Sequence, residues 1–266
     1  MNKTIKSLFK TILFSFIVLT SCKKESALEK RRWELTFDEE FSDNILNRSI
    51  WRTSFPWGQS SVNIEPQLYI DSAFSIHDGI LYIEEKRDTV TGTVYDENFN
   101  PVQKEFYFTS GMIQSLYSFT QQYGYFEVRS KSPFGVGISS AFWMMPTDLW
   151  PPEIDIYELY GEVPNRLHMT NHFKDRNGEP AQNSITINTA DLTQDFHTYA
   201  VEWNPKEIIW YLDNEKVFVS ETGVPNERMY IVLGLGLRSN VPGFGSSSTP
   251  LPSYFQVDYV RAYRKK

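Results

Sequence analysis

From Trp33 onward, apolar and polar residues alternate in short runs, and no long stretch carries the period of an amphipathic helix. Alternation with period two turns one face of an extended chain toward a core and the other toward water. The pattern predicts strands over 74–85, 108–117, 123–131, 137–145 and 153–160. Further strands are expected over 167–173, 196–203, 208–212, 229–237 and 254–263. Asp78-Gly79 and Asp213-Asn214 are residue types that tolerate the left-handed backbone of tight turns, and the run from Pro242 to Ser248 reads as a loop. Strands following one another in one chain-long pattern, with no internal repeat or linker, predict a single all-β antiparallel sandwich over 33–266.

The opening residues follow another pattern. Lys3, Lys6 and Lys10 flank an apolar run, Leu13 to Leu19, that is too short to span a bilayer. It closes on Leu19-Thr-Ser-Cys22, which resembles the processing box of bacterial lipoproteins. A plain secretory peptide with an incidental cysteine is the alternative. The lipoprotein reading makes 1–21 a signal peptide, Cys22 the lipidated residue and 22–32 a polar tether. The expected location is then the bacterial cell envelope, with the chain held to a membrane by lipid alone.

Composition narrows the picture further. Cys22 is the sole cysteine, so an exported chain has no disulfide framework and its core must hold by burial. The formal charge of −7 becomes more negative once the three signal-peptide lysines are lost, which argues against nucleic acid as a partner. A monomer is expected. The aromatic share of 15% serves core packing and also supplies stacking surfaces for sugar rings.

Glu153-Ile-Asp-Ile-Tyr-Glu158 carries the candidate chemistry. Glu153 and Asp155, two apart, share a strand face, and a bulge near Ile156–Tyr157 would bring Glu158 to the same side. Three like charges on one face are costly unless the surface is wet and functional. Glycosidic cleavage needs such carboxyls, one ionised as nucleophile and one protonated as acid. A solvated acidic surface or a cation site are the bland readings.

The flanking motifs resemble glycoside hydrolase family 16. They include Phe37-Asp-Glu-Glu-Phe41 with Trp51, Asn63-Ile-Glu65-Pro-Gln67-Leu-Tyr69, Thr109-Ser-Gly111 and Tyr123-Gly-Tyr-Phe-Glu127-Val-Arg129-Ser-Lys131. Ala141-Phe-Trp143-Met-Met-Pro146, the carboxylate strand, Phe196 to Trp203, Trp210 to Asp213 and Val257 to Arg261 follow in order. The resemblance implies a concanavalin-like β-jelly roll with a concave substrate cleft. It also implies an endo-acting retaining hydrolase that needs no catalytic cofactor. By that resemblance Glu153 is the nucleophile, Glu158 the acid/base and Asp155 the helper between them. It places Asn63, Glu65, Glu127, Arg129, Trp143, Trp150 and His172 near the substrate. It further implies a structural calcium on the Asp258 carboxylate and the backbone carbonyls of Glu40 and Gly79.

The departures concern the polysaccharide. Ser139 stands where laminarinases carry tryptophan, Tyr157 where they carry methionine, and Leu233 and Leu235 where the late cleft strand usually has asparagine and an aromatic. A β-1,3- or mixed β-1,3/1,4-glucan is the expected substrate. An algal galactan such as agar, porphyran or carrageenan is the alternative. A catalytically silent glycan-binding protein on the same fold also stands.

Overall fold

A computed structural model of the chain describes residues 32–60, 65–95, 100–148 and 150–266. The signal peptide, Cys22, most of the tether and Asn63 lie outside the described residues. No helix occurs among the described residues. The strands are β1 (Trp33–Glu39), β2 (Gln67–Tyr69), β3 (Phe74–His77), β4 (Ile80–Tyr95), β5 (Pro101–Ser110), β6 (Met112–Gln114), β7 (Gly124–Lys131) and β8 (Ile138–Pro146). They continue with β9 (Glu153–Tyr160), β10 (Arg166–Lys174), β11 (Pro180–Asn188), β12 (His197–Trp203), β13 (Ile208–Leu212), β14 (Glu215–Ser220), β15 (Met229–Leu237) and β16 (Ser253–Lys265).

Two sheets face each other. The six-stranded one runs β11-β10-β9-β8-β15-β6. The ten-stranded one has the path β14-β13-β12-β7-β16-β4-β5-β2, with β1 on β16 and β3 on β4. The core fills the space between them. Phe126, Val128, Phe255, Leu81 and Ile83 come from the larger sheet, and Ile154, Leu159, Phe142, Met144, Leu233 and Leu235 from the smaller. Trp51, Trp203 and Trp210 are fully buried, and each large apolar side chain removed from water stabilises by roughly 1.5–3 kcal/mol.

Turn chemistry sets the hairpins. Asp78 (φ 53°) and Gly79 (φ 74°) divide the run predicted over 74–85 into β3 and β4, and Asp213 (φ 49°) and Asn214 (φ 69°) join β13 to β14. The strand expected over 108–117 is divided as well, into the end of β5 and the short β6. The pattern missed β1, β2, β11 and β14 and the far halves of β4 and β5. β1 and β11 are half-exposed, β2 has only three residues, β14 is short and partly polar, and charged residues interrupt β4 at Lys86, Arg87 and Asp88 and β5 at Lys104 and Glu105. Edge strands and projecting hairpins lack the apolar face that makes a strand visible in sequence.

Candidate active site

The acids owe their common face to one inserted residue. β9 pairs with β8 through Phe142↔Tyr157 and Trp143↔Asp155, leaving Ile156 without a partner. On the other side Asp155 meets Thr170 and Glu158 meets His168, so three steps on β9 match two on β10. Ile154, Ile156, Tyr157 and Leu159 all enter the core, while Glu153, Asp155, Glu158 and Tyr160 turn to the opposite face.

The opposite sheet pins this bulge. The Trp210 indole N–H donates to the Asp155 carbonyl at 2.9 Å, satisfying a backbone acceptor at the bulge. Tyr157 hydrogen-bonds Ser130 Oγ at 2.9 Å and stacks on Tyr199 with ring centroids 3.9 Å apart. Tyr157 is therefore a core tie, not a cleft residue.

Each acid has its own polar neighbour. Trp150 Nε1–H donates to Glu153 Oε2 at 2.5 Å. His172 Nε2 lies 3.1 Å from Asp155 Oδ2, and its ring packs against Trp150 at 5.8 Å. Tyr160 O–H reaches Glu158 Oε1 at 3.4 Å. Burial raises the proton affinity of all three carboxyls. The Asp155 charge adds to the rise at Glu153, and the Glu158 charge adds to that at Asp155. Donation from Trp150 lowers Glu153, and donation from Tyr160 lowers Glu158. A cluster so arranged does not hold three negative charges together at neutral pH; it keeps a proton and moves it.

The acids open into a cleft of about 1010 Å³. Its floor is Ser139, Ala141 and Trp143 on β8 with Gly234 and Gly236 on β15. A side chain at Gly234 would begin 3.3 Å from the Trp143 ring, so the glycine leaves room for the indole. One wall is formed by residues 55–60 together with Glu65 and Tyr69, with Phe55 and Trp57 stacked at 4.9 Å and Glu65 and Tyr69 joined by a hydrogen bond of 3.1 Å. The ends of the β4–β5 hairpin, Thr93 to Tyr95, close over it, and Trp150 and Met145 lie at the side of Glu153.

Glu65, Trp143 and Trp150 thus line the cleft, and His172 joins the acids. Glu127 and Arg129 do not. They project from the outer face of β7, in the other sheet, because Phe126, Val128 and Ser130 take the inward positions. Glu127 is buried beside Tyr125, and Arg129 forms an ion pair with Asp258 and stacks over Phe196. The late cleft strand is also corrected: Leu233 and Leu235 are in the core, and the alternation turns Gly234 and Gly236 to the cleft. Tyr160 and the Thr93–Tyr95 wall escaped sequence reasoning. Tyr160 carried a signal, since it stands two residues after Glu158 on the same strand face.

Two of the residues matched to calcium, Glu40 and Gly79, lie close together. The Glu40 carbonyl lies 4.0 Å from where a side chain at Gly79 would begin. Asp258 occupies an irregularity of β16 between its pairing with β4, which ends at Val257↔Leu81, and its pairing with β1, where Val260 meets Glu39. The Asp258 carboxylate is already engaged by the Arg129 guanidinium, so a cation there must draw it away.

Comparison with known proteins agrees with this geometry. The family model for glycosyl hydrolases family 16 matches residues 52–235. An endo-1,3-1,4-beta-glycanase, ExsH, of Rhizobium meliloti is 30% identical across 89% of this chain, which spans 53% of that protein, about half its length. A beta-glucanase of Rhodothermus marinus is 27% identical across 98% of this chain and 96% of its own. The laminarinase catalytic domain of Thermotoga maritima superposes with a TM-score of 0.74 at 25% identity, over 88% of this chain and 99% of that one.

Proposed function

Because the chain belongs to glycosyl hydrolase family 16, we propose that it cleaves a neutral β-linked polysaccharide within the chain, with retention at the anomeric carbon. The observation that carries this reading is the bulged strand, which collects Glu153, Asp155 and Glu158 on the floor of an open cleft. In the first step a Glu153 oxygen attacks the anomeric carbon, the glycosidic C–O bond breaks, and Glu158 gives its proton to the departing oxygen. Water then attacks the same carbon, Glu158 takes its proton, and the bond to Glu153 breaks to restore the carboxylate. Loss of the Glu153 charge in the intermediate makes Glu158 a weaker proton holder and hence a base.

A β-1,3- or mixed β-1,3/1,4-glucan is the proposed substrate. Among the described lining residues there is no lysine or arginine to meet a sulfate, while four carboxylates line the cleft. Trp57, Trp143 and Trp150 offer flat faces to uncharged sugar rings. Incubation with laminarin, lichenan, agarose, porphyran and κ-carrageenan tests this. Short β-glucan oligosaccharides released as β-anomers support it, and cleavage of the galactans alone overturns the substrate.

Two further proposals concern the rest of the chain. Leu19-Thr-Ser-Cys22 supports lipidation at Cys22 and anchorage in the cell envelope; a mature N-terminus that is unlipidated by mass spectrometry contradicts it. Glu40, Gly79 and Asp258 offer the carbonyl and carboxylate oxygens that calcium takes. A melting temperature raised by calcium and lowered by chelation supports a cation there; indifference to both rejects it.

A further inference from the structure

Trp150 combines two properties that a sugar platform alone does not need together. Its ring is half exposed, 50% accessible, on the cleft wall, yet its N–H is committed to the nucleophile at 2.5 Å. The chain reaches the start of β9 through Trp150-Pro-Pro152, three residues whose short path keeps the indole beside Glu153. The ring is braced from the other side by His172, itself bonded to Asp155.

We propose that Trp150 is a positioning residue for the nucleophile: its indole N–H orients the Glu153 carboxyl and favours its anionic form. This rests on the assignment of Glu153 above. The physical reason lies in what else faces that carboxylate. Asp155 and Glu158 share its strand face, and Tyr230 on β15 interacts with it; none of these brings positive charge. Among the described residues, His172 on β10 is the one neighbour able to do so when protonated, and its Nε2 is directed at Asp155. Donation from Trp150 therefore opposes both burial and the charge of Asp155. As a sugar ring covers the exposed indole, water leaves this hydrogen bond and the bond strengthens, so substrate binding itself readies the nucleophile. Formation of the bond from Glu153 to the anomeric carbon then consumes the negative charge, and the N–H loses its anionic partner.

Two substitutions separate the N–H from the ring. Trp150→Phe keeps an aromatic platform and removes the donor; Trp150→Gln keeps a donor and removes the platform. A charge-assisted hydrogen bond of this kind corresponds to about ten- to a hundredfold in rate. The Phe variant is expected to lose about that much in kcat with KM little changed, and the acid limb of its pH profile should move to higher pH. The Gln variant should return the acid limb toward the wild-type position while KM rises. The carboxylate can also be read without turnover. In protein labelled with carbon-13 at the glutamate carboxyls, the Glu153 signal, assigned by its loss in Glu153→Gln, should titrate at higher pH in Trp150→Phe. A Phe variant with wild-type kcat, pH profile and Glu153 titration overturns the proposal and leaves Trp150 as a platform only. A shifted titration in a protein that cleaves no glycan upholds the hydrogen bond and rejects the hydrolase reading instead.

Discussion

On the outer face of the ten-stranded sheet, Asp258 is held by Arg129, and buried Glu127 interacts with Arg261 and the hydroxyls of Tyr125 and Tyr259. On the cleft face of the six-stranded sheet, the acids have an indole, an imidazole and a phenol beside them. Arg238, whose charge reaches Glu158, is ion-paired with Glu162 at 2.6 Å. The outer face of the larger sheet pairs these charges, whereas among the described residues no lysine or arginine is ion-paired with the three acids of the cleft. A carboxylate that is buried, close to like charge and without a bonded cation does not serve stability, and this marks the cleft as the place of chemistry.

The sharpest way to break the comparison is to neutralise the uncompensated acids. Glu158→Gln should reduce turnover roughly 10²–10⁴-fold, the usual contribution of a general acid, and Glu153→Gln should reduce it at least as far. Circular dichroism should show an unchanged fold in both. An equal loss from Glu127→Gln would erase the distinction between the sheets.

Stability against pH gives the next largest effect. For an acid whose proton affinity is raised in the fold, the unfolded chain ionises first as pH climbs past about 4.5. Stability is then fullest below that value and declines as pH rises toward the folded value. Asp155→Asn should therefore melt higher than wild type at pH 7, by about 1–3 kcal/mol in stability, with the gap closing near pH 4. Glu85 is the exception within the larger sheet. It is fully buried with the Ser110 hydroxyl as its polar neighbour, and burial raises it well above the carboxylate range. Glu85→Met should show the same pH-dependent gain without loss of turnover. Denaturant titration at pH 4 and pH 7 measures both.

Trp210→Phe tests the tie between the sheets. Without the indole donor the Asp155 carbonyl is left unsatisfied, at a cost of about 1–2 kcal/mol. Turnover should fall as well, because the bulge that aligns Glu158 loses its anchor. Stability lost with turnover unchanged would show that the bulge holds itself.

The smallest expected effect is on activity at Glu127. Glu127→Ala should lower stability by about 1–2 kcal/mol, by stranding the Tyr125 hydroxyl. Its kcat/KM should stay within about twofold of wild type, as expected for a site remote from the cleft.

Much of this arrangement was legible in the sequence where local rules apply. Spacing along one strand exposed the three acids and the bulge near Ile156 that aligns them, and the resemblance placed Trp143 and Trp150 at the cleft. The match to the family's late cleft strand fails by one residue on β15: Leu233 and Leu235 lie in the core, and the alternation turns Gly234 and Gly236 to the cleft. Glu127 and Arg129 are placed near the substrate by the resemblance alone, and no local pattern says which sheet a strand joins; β7 belongs to the sheet opposite the acids. The Trp210 and Tyr157 ties cross between sheets and leave no local signature at all.

The central claim, that Glu153 forms and breaks a bond to the sugar, is tested most directly by trapping that bond. Incubation with an activated 2-deoxy-2-fluoro-β-glucoside or its β-1,3-linked disaccharide slows the second step and accumulates the intermediate. The account predicts a stoichiometric mass increase and, after proteolysis, a modified peptide carrying the sugar on Glu153. A modified residue other than Glu153, or α-anomers formed first during hydrolysis of a polysaccharide substrate, would contradict it.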